Sequence, residues 1–263
     1  MSDSGPKLIR SRDNARFKLL RQLAGSTRER RKAGLALLDG AHLIAAYRAS
    51  GGVPEQLILS ESGASTAEIA ELAAGVSAQG VLILVDALFH DIAQVATPTG
   101  IIALIRTPEP GPLPAAIDSC VMLENIQDAG NLGSILRSTA AAGIATVLLS
   151  QGCAFPWSPK VLRAGMGAHF SLDIFDNADL AAIVTRLSGR LMCASGHAPK
   201  SLYQADLRGP LAWVFGNEGA GVSAEMSAAA TEQLRIPMPG RTESLNVAAA
   251  AAICLFEQLR QNS

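Results

Sequence analysis

The sequence predicts an α/β protein with two parts, a C-terminal domain built on a mainly parallel sheet and a smaller N-terminal α/β domain. Short, continuous apolar runs alternate with helical patterns along the chain, which is typical of βα units whose sheet is covered on both faces. Hydrophobic residues make up 49% of the 263 residues and charged residues 17%, so both parts can bury a core. Residues 107–114, TPEPGPLP, contain four prolines, and neither a helix nor a central strand can cross them. We therefore expect a domain of residues 1–106, a linker of residues 107–114 and a domain of residues 115–263.

The N-terminal domain is predicted to begin with a helix that docks by one face, because apolar side chains are interleaved with basic ones there. These apolar residues are Phe17, Leu19, Leu20 and Leu23. A strand or turn that runs into a helix is expected over residues 35–50. Strands follow at residues 56–60, 81–85 and 100–106, and helices at residues 66–74 and 87–95. This order predicts a small α/β sandwich.

The C-terminal domain shows a more regular alternation. Strands are predicted at residues 120–124, 145–150, 171–175, 191–195, 211–215 and 234–237. Helices are predicted at residues 132–142, 159–165, 179–188, 223–231 and 244–260. Apolar strands separated by helices imply crossover connections and hence parallel pairing.

The charge is distributed unevenly. The net charge is −1, but residues 1–35 carry ten Lys and Arg against Asp3, Asp13 and Glu29, while the rest of the chain has a net charge of −8. A basic segment on an acidic body is typical of an arm that follows phosphates. The candidates for such contacts are Arg10, Arg12, Arg16 and Lys18. A solvated leader without a partner is the alternative interpretation.

The sequence disfavours a metal site, a G-x-S-x-G nucleophile elbow and a membrane span. The four cysteines are scattered without a C-x-x-C pair, and Cys120, Cys193 and Cys254 lie in apolar runs, so we expect buried thiols. The four histidines are isolated, His197 near a predicted strand end included, and no spacing for a metal site or a G-x-S-x-G elbow occurs. No apolar run reaches the roughly 18–20 residues of a membrane span, and the N-terminus is charged. We expect a cytoplasmic protein that uses neither a metal nor a membrane.

Three polar loops that contain glycine and asparagine are the strongest functional signal. They read NIQDAGNLGSILR (125–137), VFGNEGAGVS (214–223) and IPMPGRTESLNV (236–247), and each begins within or just after a predicted strand. Because loops at the carboxyl ends of parallel strands build the binding sites of α/β proteins, we expect one composite site. The dinucleotide and triphosphate glycine fingerprints are absent, so a nucleoside-like ligand would bind in another arrangement.

Individual residues of these loops have alternative interpretations. Asn131 is expected to cap the helix that follows. Arg137 is expected to hold a phosphate or carboxylate near the N-terminus of that helix, or to form a surface salt bridge. Glu218 is expected to pair with an arginine or to bind a ligand, and Ser244 or Asn246 to cap the last helix.

Taken together, three patterns resemble the motifs of the SpoU (TrmH-like) family, the RNA 2′-O-ribose methyltransferases of the SPOUT superfamily. They are NxGxxxR (131–137), GNEGxG (216–221) and IPMxGxxxSLNV (236–247), within a resemblance that covers residues 119–260. Residues 12–106 resemble the substrate-binding domain of this family, through LDGAHLI (38–44) and TPTGIIAL (97–104).

The resemblance implies a deep trefoil knot, a homodimer and S-adenosylmethionine as the cofactor. The residues it assigns to cofactor binding are Ala194, Ser195, Gly196, Phe215, Gly216, Ile236, Met238, Ser244 and Leu245. The catalytic residues it implies are Arg137, which activates the ribose 2′-hydroxyl, Asn131 and Glu218, which position Arg137, and Asn246, which orders the site. A guanidinium hardly loses its proton, so we expect Arg137 to stabilise the developing alkoxide while an RNA phosphate takes part in proton removal.

Two positions depart from the family pattern. Ala248 and Gly165 stand where the family often has serine, so no role of those hydroxyls applies here. Lys160 and Arg163, near Gly165, are further candidates for RNA contact.

The predicted function is methylation of a ribose 2′-hydroxyl in a structured RNA, with ribosomal RNA favoured over transfer RNA. An RNA-binding or assembly protein without catalysis is one alternative, although the intact catalytic residues argue against it. Methylation of a base by the same fold is the other.

Overall fold

The computed structural model describes residues 6–263; residues 1–5, with Asp3 of the basic segment, lie outside the described residues. Contacts between residues divide the chain into two compact units. The first contains the described residues up to Pro108 together with Trp157–Phe170, and the second contains Glu109–Pro156 and Ser171–Ser263. The first change of unit thus lies within the proline-rich stretch.

The first unit is built on a five-stranded sheet with the order β1-β4-β3-β5-β2. Its strands are β1 Lys7–Ile9, β2 Leu35–Asp39, β3 Gln56–Ser60, β4 Val81–Leu84 and β5 Ile101–Arg106. Only β5 runs antiparallel to its neighbours, so β1, β2, β3 and β4 all end at the same edge. The helices before Pro108 are α1 Ala15–Gly25, α2 Thr27–Ala33, α3 Ala41–Ala49, α4 Ala67–Ala73 and α5 Asp86–Ile92.

Helix α1 docks on the sheet by one face, as predicted. Phe17, Leu20 and Leu23 are at most 1% exposed, but Leu19 is 45% exposed, because a period of 3.6 residues places it away from the other three. Arg30 of the basic segment is also buried, and its guanidinium donates hydrogen bonds to the carbonyls of Leu23 and Ala24 at the end of α1. Arg30 therefore stabilises the fold and is not available to a phosphate.

The second unit contains a seven-stranded sheet with the order β10-β12-β9-β11-β6-β7-β8, in which every pair is parallel. The strands are β6 Cys120–Leu123, β7 Thr146–Leu149, β8 Asp173–Phe175, β9 Arg190–Ala194, β10 Lys200–Ser201, β11 Leu211–Phe215 and β12 Glu232–Arg235. The helices after Pro108 are α6 Ala129–Ala141, α7 Pro159–Gly165, α8 Leu180–Val184, α9 Ala224–Ala229 and α10 Val247–Asn262. Of these, α7 belongs to the first unit, where it packs against β2. The prediction of a parallel sheet is confirmed.

Three short elements do not follow from the sequence pattern: β1, α2 and β10. Strand β1 has three residues and β10 has two, and each is held by backbone pairing with a distant strand, β4 and β12 respectively. The helix predicted at 179–188 ends earlier, at Val184. Such short strands lack a hydrophobic period of their own, so long-range pairing decides them.

Cys120, Cys193 and Cys254 are buried, as expected. Burial raises the pKa of the Cys120 thiol to about 12, so this thiol stays protonated at neutral pH. Within residues 6–263, no cluster of three or more metal-ligating side chains occurs. No helix in the described part of the chain is long and apolar enough to cross a bilayer.

Candidate active site

The candidate site lies at the carboxyl edge of four adjacent strands of the second unit. In the order β12-β9-β11-β6, these strands are hydrogen-bonded neighbours. Each is followed by a polar segment: residues 236–246 after β12, 195–199 after β9, 216–223 after β11 and 124–128 after β6. Since all four strands are parallel, their carboxyl ends face the same way and the segments meet at one edge.

A cavity that encloses about 690 Å³, part of it open to solvent, lies among these loops. All nine residues assigned to the cofactor line it: Ala194, Ser195, Gly196, Phe215, Gly216, Ile236, Met238, Ser244 and Leu245. Leu245 is 39% exposed, and a ligand in the cavity would cover part of its apolar side chain.

Further residues line this cavity that the sequence interpretation did not assign to the cofactor. They are Asn217, Glu218, Gly221, Val222, Leu234, Val247 and Ala250. Several of them directly neighbour assigned residues, so proximity along the chain was the signal that could have found them.

The loop after β11 turns so tightly that it requires glycine at two positions. A Cβ atom at Gly216 would lie 2.2 Å from backbone atoms of Gly221 and Val222. Gly221 has a φ of +72°, and its N–H donates to the carbonyl of Asn217 over 2.9 Å. The loop therefore folds back on itself directly beside the cavity.

Asn217 joins this loop to the loop after β6. Its Nδ2 donates to the carbonyl of Asn125 over 2.9 Å. Its Oδ1 accepts hydrogen bonds from the N–H groups of Gly219 and Ala220, at 2.9 and 3.0 Å. One side chain thus fixes both the shape of its own loop and the position of a second loop.

A chain of side-chain hydrogen bonds connects all three predicted loops. Asn246 Nδ2 donates to Asn131 Oδ1 over 2.8 Å, and Asn131 Nδ2 donates to Glu218 Oε1 over 3.0 Å. The same carboxylate oxygen also accepts the backbone N–H of Asp128 at 3.3 Å. The structure therefore brings together three of the four predicted catalytic residues.

The predicted cap of α6 was wrong. The helix begins at Ala129, and its N-cap is Asp128, whose carboxylate accepts the N–H of Asn131 at 2.8 Å. Asn131 lies inside the first turn, so its side chain is available for Glu218 and Asn246. Asn246, by contrast, does cap α10, and its Oδ1 accepts the N–H groups of Ala248 and Ala249.

The environment of Glu218 keeps this carboxylate ionised. Partial burial by itself raises the pKa of Glu218, but the hydrogen bond from Asn131 and those from backbone amides outweigh this effect. The pKa of Glu218 is therefore lowered from its ordinary value. At neutral pH Glu218 is an acceptor only, which explains why Asn131 presents its amide nitrogen to it.

Arg137 lies farther along α6 than expected. It is the ninth residue of the helix, about 12 Å from the first along the axis, so its predicted position near the helix N-terminus was wrong. Its side chain is exposed, and among residues 6–263 it forms no hydrogen bond or ion pair. The alternative of a surface salt bridge was therefore also wrong.

The candidate RNA-binding residues all lie on the surface of the first unit. Three of them form exposed ion pairs: Arg10 with Glu61, Arg12 with Asp91 and Lys18 with Asp13. Arg16 and Lys160 are exposed as well. Arg163 is exposed but donates a hydrogen bond to the carbonyl of Gln94 over 3.0 Å, so it also holds the segment after α5.

Comparisons with known families match both parts of the chain. The profile of the SpoU rRNA Methylase family matches residues 118–256, slightly more than half of the chain. The profile of the MRM3-like substrate binding domain matches residues 14–103.

Similar proteins cover nearly the whole chain. The 23S rRNA (guanosine(2553)-2′-O)-methyltransferase RlmP of Bacillus subtilis is 30% identical, over 95% of this chain and 98% of the relative. A solved RNA 2′-O ribose methyltransferase is 32% identical, with a TM-score of 0.81 over 97% of this chain and 98% of that chain. The SpoU methyltransferase AviRb from Streptomyces viridochromogenes, solved in complex with AdoMet, is 25% identical, with a TM-score of 0.84 over 94% and 98% of the two chains.

Proposed function

This chain belongs to the SpoU rRNA methylase family and is an S-adenosylmethionine-dependent RNA methyltransferase, and on this premise we propose that it methylates a ribose 2′-hydroxyl of ribosomal RNA. The proposal depends on the connection between the cavity and the chain of hydrogen bonds through Asn246, Asn131 and Glu218. Glu218 both lines the cavity and accepts the hydrogen bond from Asn131. A cofactor in the cavity would therefore lie beside Glu218 and Asn131, two of the residues that the resemblance assigns to catalysis.

The lining of the cavity fits S-adenosylmethionine. Apolar side chains of Ile236, Met238 and Leu245 offer contact to an adenine ring, and the backbone of Gly196 can be approached closely because the space where a Cβ atom would lie is open. When bound, the cofactor supplies an activated methyl group. The residues of this chain then have to orient the ribose and to stabilise the charge that develops on its 2′-oxygen.

We propose that Arg137 stabilises the charge that develops on the 2′-oxygen. Its guanidinium is exposed and has no partner within residues 6–263, so it can donate hydrogen bonds to an alkoxide or to an adjacent phosphate. Because a guanidinium keeps its proton, Arg137 acts as an electrostatic stabiliser, and a phosphate oxygen of the RNA takes part in removing the proton. Asn131 and Glu218 position the start of α6, and Asn246 connects α10 to them.

A homodimer is the second part of the proposal. Helix α10 buries one face and leaves a second apolar stripe at the surface, formed by Ala249, Ala252, Ile253, Phe256 and Leu259. Phe256 is 46% exposed and Leu259 is 37% exposed. A second copy that covers this stripe would form the homodimer that the resemblance implies. The trefoil knot and a cytoplasmic location are further parts of the proposal.

The first test replaces Arg137. We expect Arg137→Ala to lower methyl transfer by about 100-fold or more while binding of S-adenosylmethionine stays unchanged. Transfer is measured from tritium-labelled cofactor to total RNA of cells that lack the gene, and binding by calorimetry. The matched control is Arg208→Ala, which removes an exposed arginine that pairs with Asp206.

The same assay separates the alternatives. Nuclease-resistant 2′-O-methyl dinucleotides in the digested RNA are expected, and their absence from labelled RNA would indicate base methylation. A protein that binds RNA but shows no heat of cofactor binding would be a non-catalytic member of the fold. Full activity of Arg137→Ala would refute the role of this arginine.

A further inference from the structure

A second polar cavity lies at the carboxyl edge of the sheet of the first unit. It is formed where β3 and β4 end and where β5 begins, and it encloses about 560 Å³, part of it open to solvent. Its polar lining consists of the hydroxyls of Ser60, Ser62, Thr66 and Thr99, the carboxylate of Asp86 and the imidazole of His90. The carboxyl edge of a parallel sheet is where α/β proteins bind ligands.

Part of this lining is engaged in building the wall of the cavity. Ser60 Oγ accepts the N–H of Gly63 at 2.8 Å, and Thr66 Oγ1 donates to the carbonyl of Gly63 at 2.9 Å. A Cβ atom at Gly100 would lie 2.9 Å from the Cα atom of Gly63, so the two segments are in direct backbone contact. These contacts make the wall rigid and leave other lining groups for a ligand.

Asp86 keeps one carboxylate oxygen available to a ligand. Its Oδ1 accepts both the N–H and the hydroxyl of Ser62, at 3.0 and 2.9 Å, whereas Oδ2 has no hydrogen-bond partner among residues 6–263. The hydrogen bonds from Ser62 lower the pKa of Asp86, so the carboxylate is ionised at neutral pH. His90 follows Asp86 by one helical turn, and Pro98 adds a flat apolar surface.

Two basic residues flank the cavity. The N–H of Val85 donates to the carbonyl of Ile9, which places Arg10, the next residue, beside the start of α5. Arg10 pairs at 3.5 Å with Glu61, the residue after Ser60. Arg12 pairs at 2.9 Å with Asp91, the residue after His90. Exposed ion pairs are weak in water, so an RNA phosphate can compete with both carboxylates.

We propose that this cavity binds an unpaired guanine of the RNA substrate, with Asp86 accepting hydrogen bonds from its N1–H and amino groups and Arg10 and Arg12 contacting the adjoining phosphates. Unpaired bases are recognised through their Watson–Crick edges and by stacking on flat side chains, here His90 and Pro98. Among the four bases, guanine alone presents two adjacent N–H donors and an acceptor on that edge. The hydroxyl of Thr99 can donate to that acceptor. The inference rests on the proposed function in one respect, namely that the substrate is RNA.

The test uses three fluorescein-labelled RNA octamers and the full chain. One octamer is all uridine, the second has a guanosine at its fifth position, and the third has inosine there, which lacks the amino group. We expect the wild-type protein to bind the guanosine octamer roughly tenfold more tightly than the all-uridine octamer, with inosine between them. Binding is followed by fluorescence anisotropy.

Asp86→Asn is expected to abolish the preference for guanosine while the affinity for the all-uridine octamer changes less than twofold. The asparagine oxygen can still accept the hydrogen bonds of Ser62, so the wall is kept, and equal thermal unfolding midpoints confirm this. Glu68→Gln on α4, an exposed carboxylate outside the cavity, is the matched control and should keep the preference. Equal affinities of the wild-type protein for the three octamers, or an unchanged preference in Asp86→Asn, would overturn the proposal.

Failure of this inference and failure of the proposed function give different results. If methyl transfer to RNA proceeds but no octamer preference is found, only the guanine site is refuted. If no methyl transfer occurs while the preference is present and lost in Asp86→Asn, the guanine site stands and the proposed catalytic function is refuted.

Discussion

The amide nitrogen of Asn246 donates a hydrogen bond of 2.8 Å to the side-chain oxygen of Asn131, which lies 115 residues earlier in the chain. Asn246 is also the N-cap of α10, and Asn131 lies in the first turn of α6, so this bond ties the start of one helix to the start of the other. Because Asn131 also donates to Glu218, a change at any of the three residues affects the other two.

Asn131→Asp tests the chain of hydrogen bonds through Asn246, Asn131 and Glu218 by adding a negative charge. The substitution places a carboxylate at the position of an amide that lies 3.0 Å from Glu218 Oε1, and two carboxylates at this distance repel each other. We expect methyl transfer to fall by about 100-fold, and by only about tenfold in Asn131→Ala, which loses the hydrogen bonds without adding charge. Equal losses in the two variants, measured as kcat/KM, would show that charge at this position is irrelevant.

Gly216→Ala tests the tight turn beside the cofactor cavity. Because the added Cβ atom would lie 2.2 Å from the backbone of Gly221 and Val222, the loop has to move. We expect a loss of about 3 kcal/mol of stability and no measurable binding of S-adenosylmethionine. Chemical unfolding and calorimetry check the two effects. Gly111→Ala in the proline-rich stretch, with open space around it, should leave both quantities unchanged.

Asn217→Ala tests the connection between two loops. The change removes three hydrogen bonds that hold residues 217–220 and the carbonyl of Asn125. We expect a loss of about 2 kcal/mol in stability and roughly tenfold weaker binding of the cofactor. Asn14→Ala, which removes the cap of α1 in the first unit, should cost about 1 kcal/mol without an effect on cofactor binding. Cofactor affinity equal to that of the wild type would contradict a positioning role of Asn217.

Glu257→Gln tests the acid stability of α10. Hydrogen bonds from Arg260 and Gln261 lower the pKa of Glu257 from 4.5 to about 2. A carboxylate whose pKa is lower in the folded state contributes stability above its unfolded pKa and loses it as the pH falls through the folded value. The difference in stability between wild type and Glu257→Gln should therefore be constant above about pH 5 and shrink between pH 4.5 and 2. Unfolding midpoints across this range provide the measurement.

Much of the fold follows from local patterns in the sequence. Strands β3 and β11 have the predicted bounds, because continuous apolar runs end at clear breakers there. Strands β1 and β10 were not predicted, since pairing with β4 and β12 holds them and no pattern within two or three residues encodes such a partner. Helix α7 was predicted with its bounds, but its packing with β2 in the first unit depends on contacts between residues far apart in the sequence.

The sequence by itself determined the parallel sheet, the loops that line the cofactor cavity and the residue types in them, because apolar periodicity and turn chemistry are local properties. Only the tertiary structure decided how those residues are used. Asp128, not Asn131, caps α6, and this leaves the Asn131 amide to bridge Asn246 and Glu218. Hydrogen bonds between residues that are 87 and 115 positions apart depend on how the sheet orders its strands, which a local pattern does not contain.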